Sequence, residues 1–411
     1  MNRIVAIDTL RGVALLGILL MNIRSFAMPA SAYANLKAYF GETLPDQIAF
    51  SLTHILVDQK AMALFSLLFG ASVMLLIRGR AEKGLPTAWH HHWRNTLLLI
   101  IGLLHGLYLW EGDNLFVYAV CAYPLYACRN WQPRFQCAVS LLIFLVPSAA
   151  NMALHASIAS MSTSDRAQLA AYWHPSKHDI KAEIALYGSR PYTDQVDYRA
   201  GDLDLSKPKA PDGPLVETAD GMYLLDAFCR AMGMMLIGMA LYTGGVLTGK
   251  RSARFYRRLV YVGCGVGFPI ALAGLWQLYR TAWHWEYALF LGGVPNSLAT
   301  LLIVSGYIGA VMLWCRSPRG QALKERLALV GRTALSNYLA QSVMCTVVFY
   351  SYGLGLFGDV NRATQLVIVV LIWIVQLQLS AWWLTRYRFG PVEWLWRSLT
   401  YFTFQPLRRS S

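Results

Sequence analysis

Charge is what this sequence has least of. Only 14% of its 411 residues are Asp, Glu, Lys or Arg, where soluble domains carry about 25%. Acidic residues are the scarcer kind, 22 against 36 basic ones, for a net charge of +14. With 56% hydrophobic residues and a mean hydropathy of +0.39, an ordinary soluble globular protein is excluded. Cysteine is sparse and patternless: the seven (Cys121, Cys128, Cys137, Cys229, Cys264, Cys315 and Cys345) are odd in number, lie almost all in apolar runs and include no CxxC pair. They read as buried free thiols rather than a disulfide frame, and no metal is expected. P-loop, GxSxG and HExxH motifs are missing, so nucleotide hydrolysis and zinc chemistry lose support. No internal repeat of roughly 20 to 50 residues is visible. The first apolar stretch, Ile4 to Phe26, is interrupted by Asp8, Arg11 and Arg24 and lacks a small-residue cleavage site, so it reads as a retained span.

What is present is apolar length. A hydrocarbon core of about 30 Å takes roughly 20 residues at 1.5 Å each. About ten windows qualify, at 4–27, 59–78, 95–111, 114–128, 135–155, 222–247, 258–280, 296–315, 329–350 and 364–385. Basic clusters in "RGRAEKG", "CRNWQPR", "GKRSARFYRR", "CRSPRGQALKER" and "RYRFG…PLRRSS" fall on alternate sides of successive windows. All then share one face with both termini, and the positive-inside rule makes that face cytoplasmic. The expected fold is an all-α polytopic helical membrane protein of about ten transmembrane helices. Residues 1–411 form a single transmembrane domain, with 156–221 an external loop insertion and 390–404 an inner-face interfacial helix. The lipid bilayer is the first partner, and no nucleic acid is expected.

Within the external insertion, "SKHDIKAEIALYG" has helical apolar spacing and a terminal glycine, whereas "KPKAPDGP" looks like a turn or linker. A loop of that length is more often functional than idle. Residues 36–58 are amphipathic, as expected of a segment lying in the outer interface before it dips inward. "LFGASVMLLI" and "GMALYTGGVL" suggest small-residue helix contacts.

Ionisable residues inside spans cost about 2.5–3.5 kcal/mol each on insertion scales and so tend to face a partner or a cavity. Asp8 and Arg11 are three apart and Asp226 and Arg230 four apart, spacings that suit helical ion pairs. His54, Asp58 and Lys60 stand at the outer start of the second span; Lys60 could snorkel outward, or the three could line an outward-facing mouth. His105, in "GLLHGLYLWEGDNLFVYA", lies eleven residues beyond Arg94, or about 16 Å deep. At that depth it is either a hydrogen-bonded core histidine or a general base, with Glu111 or Asp113, about two turns outward, to orient it. The triplet His90–His92 cannot chelate from one helix face and reads as a basic anchor. In "GRTALSNYLAQS", Asn337 and Gln341 share a face that either glues helices or lines a pocket.

The motifs "RIVAIDTLRGVALLGILLMNI", "ALFSLLFGAS", "GLLHGLYLWEGDNLFVYA", "GRTALSNYLAQS" and "FGPVEWLWRSLTY", in that order, resemble those of the YeiB-like family of bacterial inner-membrane proteins. That family is similar to a wider group of transmembrane acyltransferases that includes heparan-alpha-glucosaminide N-acetyltransferase, a link carried by D-x-L-R-G at Asp8 to Gly12. The resemblance implies a multi-pass protein of the bacterial inner membrane that draws an acyl group from cytoplasmic acyl-CoA, acetyl-CoA being one option. A histidine acts as base, and the acceptor, a glycan or lipid, lies outside. The "GLLH" motif points to His105 as that base and the sugar N-acetyltransferase pattern to His54, with His105 taken first. Glu111 and Asp113 are its helpers, and Asp8, Arg11, Asp58, Lys60, Asn337 and Gln341 are candidate substrate contacts. Arg78, Arg80, Arg94 and Arg251 are candidate cations for CoA phosphates, although the positive-inside rule already accounts for them. A proton-coupled transporter is the alternative, a ligand-binding scaffold or sensor a third option, and a homo-oligomer is left open.

Overall fold

The computed structural model describes residues 5–202 and 214–409, and among them there is no β-strand, only an isolated bridge between Tyr387 and Arg408. Seven helical stretches are long and apolar enough to cross a membrane. They are α1 (Val5–Ala27), the pair α2 (Leu44–Leu56) and α3 (Lys60–Ala81), then α6 (Pro133–Ser157), α10 (Pro214–Thr243), α11 (Ala253–Arg280), α13 (Val294–Arg316) and α16 (Arg362–Arg386). Helix α4 (Ala88–Tyr108) and the shorter apolar helices α5 (Leu115–Leu125) and α15 (Ala334–Phe349) occupy the other three windows read from the sequence.

Boundaries shift where tertiary packing overrides the apolar count. The ninth window begins with a separate amphipathic helix, α14 (Gln321–Arg332), which breaks at Thr333 before α15 starts. Residues 44–56, within the segment read as amphipathic, form helix α2, with Leu44, Ile48, Leu52 and Leu56 exposed and Phe50, Thr53 and His54 buried. Thr43 caps α2 by accepting the Asp46 N–H, and α2 runs on into α3 through a three-residue break, 57–59, in which Gln59 adopts φ +66°. That left-handed conformation costs a non-glycine residue on the order of 1–2 kcal/mol, and broken helices at membrane depth are found where they line a cavity or a binding site.

The insertion expected at 156–221 folds, over its described residues, into α7 (Thr163–Trp173), α8 (Lys177–Gly188) and α9 (Tyr192–Ala200). Ser176 and Asp179 close a capping box at the start of α8, the segment expected to be helical, and Gly201 ends α9 at φ +84°. Most of the expected "KPKAPDGP" turn lies outside the described residues, and Pro214 already belongs to α10. A short α12 (Trp285–Ala288) lies between α11 and α13 and has no counterpart among the expected elements. Helix α17 (Pro391–Tyr401) forms within 390–404 and packs against α4: Trp396 donates to the Arg94 carbonyl at 3.0 Å, Trp93 donates to the Leu399 carbonyl at 3.1 Å, and the Arg94 guanidinium lies 4.0 Å from the Trp396 ring centre.

Small residues set the helix crossings. A Cβ on Gly70 would stand 2.0 Å from the Met235 carbonyl oxygen, and one on Gly238 would stand 1.8 Å from that of Leu67, so α3 and α10 touch backbone to backbone. These glycines lie in the two segments read as small-residue contacts. Gly12 and Gly331 do the same for α1 and α14, with Leu327 O at 2.1 Å and Asp8 O at 1.9 Å. The D-x-L-R-G motif thereby has a structural meaning: Asp8 and Arg11 pair at 3.1 Å, Arg11 also reaches Ser72 Oγ at 2.9 Å, and Gly12 lets α14 pass. Helix α1 is the central member, packed by α3, α13, α14, α15 and α16.

Candidate functional site

Two histidine–aspartate pairs flank the end of α1 away from the basic face. The first stands at the α2–α3 break. His54 in the last turn of α2 places Nδ1 3.0 Å from Asp58 Oδ2, four residues on. Asp58 Oδ2 also accepts from Asn296 Nδ2 at 3.1 Å, and Asn296 Oδ1 accepts from Lys60 Nζ. Lys60 donates to the His54 carbonyl at 2.9 Å as well. The ammonium therefore does not snorkel: Lys60 is 0% exposed, and its charge is turned inward against Asp58. Arg24 of α1 braces the group from beneath, donating to Thr53 Oγ1 and to the Tyr33 carbonyl. Phe50 stacks on the His54 ring with centroids 5.7 Å apart.

A carboxylate can only accept, so its contact assigns the His54 proton to Nδ1 and leaves Nε2 with a lone pair. That Nε2 is buried and has no hydrogen-bond partner. Buried polar atoms are nearly always paired, and an unpaired basic nitrogen held by an orienting carboxylate is an arrangement suited to general-base work.

The second pair contains His105. Helix α4 ends at Tyr108, so His105 lies in its last turn, and the "EGDN" turn folds back over it rather than continuing outward. Asp113 thus returns to the ring: His105 Nδ1 and Asp113 Oδ1 are 2.8 Å apart. Asp113 Oδ2 accepts the Phe116 N–H at 2.9 Å, and the Tyr338 hydroxyl donates to Oδ1 at 3.4 Å. On the other side of the ring, Nε2 is 2.9 Å from Ser342 Oγ on α15. Both ring nitrogens are thus engaged, unlike those of His54.

Glu111 takes no part in this pairing. It faces Arg199 and the Tyr187 hydroxyl, which stays short of hydrogen-bond geometry. Helices α8 and α9 cover the turn: Arg199 donates to the Leu107 carbonyl at 2.8 Å, Tyr192 to that of Tyr108 at 2.6 Å, and Glu183 accepts the Ala30 N–H at 2.8 Å. Burial raises both carboxyls above the usual range, Glu183 to about 8, where the charge of Glu111 pushes it further.

The other sequence candidates divide plainly. Asp226 and Arg230 form the expected ion pair. Asn337 and Gln341 are spent on a buried network: Asn337 donates to Thr333 Oγ1 at 2.8 Å and Ser380 Oγ at 2.9 Å, and Gln341 donates to Gln376 Oε1 at 3.0 Å. They tie α15 to α16, as glue. The His90–His92 rings diverge, His90 towards Tyr401, His91 onto the Ala122 carbonyl and His92 onto Tyr123. The four arginines split into two groups on the basic face. Arg78 and Arg251 meet the end of α10 at Thr243 and Gly244, whereas Arg80 and Arg94 lie over Tyr401 and Trp396 of α17.

Sequence reading missed Asn296 and Ser342. Each is a polar residue in an apolar helix, which is a signal, but neither spacing points to a histidine more than 200 positions away.

A relative in Escherichia coli (strain K12), the uncharacterized protein YeiB, is 34% identical over 407 residues, covering 97% of each chain. This chain belongs to the YeiB-like family. The uncharacterized protein YxaH of Bacillus subtilis (strain 168) is 30% identical over 416 residues, 100% of this chain and 97% of its own. An uncharacterized 39.9 kDa protein from Bacillus acidopullulyticus is 24% identical over 405 residues. The family described as "Protein of unknown function (DUF418)" matches residues 241–403. Asn296 and Ser342 fall within that region and both histidines outside it, so the two sites are assembled across its boundary.

Proposed function

We propose that this protein is an integral membrane acyltransferase of the bacterial inner membrane, moving an acyl group from cytoplasmic acyl-CoA to a hydroxyl or amine of a glycan or lipid at the outer face. The His54–Asp58 pair carries the reading, because its Nε2 is buried, basic and unpaired among protein atoms. The acceptor proton passes to Nε2 as the acceptor oxygen or nitrogen attacks the acyl carbonyl. Asp58 stabilises the resulting imidazolium, the bond between the acyl carbon and its donor atom breaks, and the CoA of the donor is released as its thiolate. Burial of the site keeps water from hydrolysing the activated acyl group. For the CoA phosphates, Arg78 and Arg251, both exposed on the basic face and separated only by the α10 terminus, fit better than Arg80 and Arg94. The latter two lie over aromatic rings.

The test is acyl-CoA binding, read as thermal stabilisation of purified protein, together with CoA release in native membrane vesicles. His54→Ala is expected to keep the stabilisation and to lower CoA release about 100-fold or more, the usual contribution of a general base. Wild-type protein that neither binds nor consumes any acyl-CoA overturns the reading. The broken α2–α3 helix also suits a proton-coupled transporter; proton-driven solute uptake by vesicles, without acyl-CoA binding, would favour that second reading.

A further inference from the structure

Ser342, His105 and Asp113 come from three separate parts of the chain and meet in one line of hydrogen bonds. The carboxylate holds the proton on Nδ1, which leaves Nε2 to accept the Ser342 O–H at 2.9 Å. This is the order and spacing of a serine nucleophile, its base and the group that orients the base. The three side chains are deeply buried, Ser342 to 1% exposure. Asp113 is fixed from two further sides, by the Phe116 N–H and the Tyr338 hydroxyl.

Depth points the same way. Ser342 lies eight residues into α15, about 12 Å from the end of the helix that α17 covers on the basic face. That end is latched by Glu393, which accepts the Ser336 N–H at 3.0 Å. A thioester approaching from the basic face has that distance to cover to reach Ser342.

We propose that Ser342 is an acyl-accepting nucleophile, so that acyl transfer from an acyl thioester runs in two steps through a Ser342 ester. This rests on the acyltransferase reading. In the first step Ser342 Oγ attacks the thioester carbonyl and its proton moves to His105 Nε2. The carbon–sulfur bond breaks, CoA leaves as its thiolate, and the imidazolium remains paired with Asp113. In the second step the acceptor attacks the ester carbonyl and gives its proton to His54. The carbon–oxygen bond to Ser342 breaks, and Ser342 Oγ recovers its proton from His105. Each histidine serves one half-reaction, which accounts for two such pairs in one bundle.

Purified full-length protein incubated with radiolabelled acetyl-CoA and octanoyl-CoA tests this directly, with acyl-CoA stabilisation measured in parallel. Expected is a covalent label, mapped by peptide mass spectrometry to Ser342 and lost in Ser342→Ala. Ser342→Cys, of similar size, should restore a label that hydroxylamine releases more readily, as a thioester. His105→Ala should bind acyl-CoA and take up label at least about 100 times more slowly. If Ser342→Ala binds acyl-CoA and releases CoA at the wild-type rate with no label in either protein, the ester is overturned and the acyltransferase reading stands. If wild-type protein binds no acyl-CoA, both fall.

Discussion

Replacing Asp58 by Asn should cost this protein more than its position near a helix end suggests. The change preserves size and removes the charge that Lys60, 0% exposed, faces across Asn296. Breaking a buried pair from one side costs about 3–5 kcal/mol. The Asp58 side chain keeps 18% of its surface, which favours the lower limit, about 3 kcal/mol. Lys60→Met should cost less, about 1–2 kcal/mol, because Asp58 retains His54 and Asn296. The double substitution removes both charges and is expected to cost about 1 kcal/mol, since neutral replacements of buried pairs are commonly near neutral. The coupling is then about 3 kcal/mol, far beyond the ~0.5 kcal/mol scatter of independent sites. At about 2.1 cal/mol/K per residue, 411 residues give ~0.9 kcal/mol/K, so Asp58→Asn should lower Tm by about 3 °C or more. Thermal unfolding in detergent, followed by the fluorescence of the fourteen tryptophans, supplies all four corners of the cycle. Additive losses would refute the claim that Lys60 is held inward by Asp58.

Further outcomes follow from other contacts. Gly238→Ala puts a methyl group against the Leu67 backbone and should destabilise the α3–α10 crossing by about 1–3 kcal/mol. Gly265→Ala, where a Cβ meets nothing within 4 Å, is its control, and size-exclusion profiles and Tm read the difference. Glu183, raised to about 8 by burial, binds its proton more tightly when folded than when unfolded. Its contribution to stability is complete below the unfolded value near 4.5 and is lost as pH rises through about 8. Tm measured between pH 6 and 9 should therefore fall less steeply for Glu183→Gln than for wild type; parallel curves would contradict the assignment. Glu393 accepts the Ser336 N–H in the first turn of α15 and the Ser336 hydroxyl. Glu393→Ala should cost about 1–2 kcal/mol, as the loss of a helix cap does, and should release α17 to proteolysis from the basic side.

The sequence by itself determined everything that depends on local period and length. Of the ten apolar windows, seven fall on helical stretches long and apolar enough to cross a membrane, because a hydrocarbon core demands a fixed run of residues and internal backbone bonding. The Asp8–Arg11 and Asp226–Arg230 pairs were legible because three- and four-residue spacings share a helix face. Helix α17 was legible in "GPVEWLWR", and His105 and His54 stood out as ionisable groups in apolar surroundings. Tertiary structure alone decided what those histidines do. Asp113, expected two turns outward, is carried back to His105 because α4 stops at Tyr108. Ser342 reaches the same ring from 237 positions away, and Asn296 bridges Asp58 and Lys60 from 238 and 236 away. Lys60 could have snorkelled on sequence grounds; only the approach of α13 turns it inward. Helical periodicity specifies which face a residue occupies, but which other helix that face meets depends on how the bundle packs around α1, and packing has no local signature in the chain.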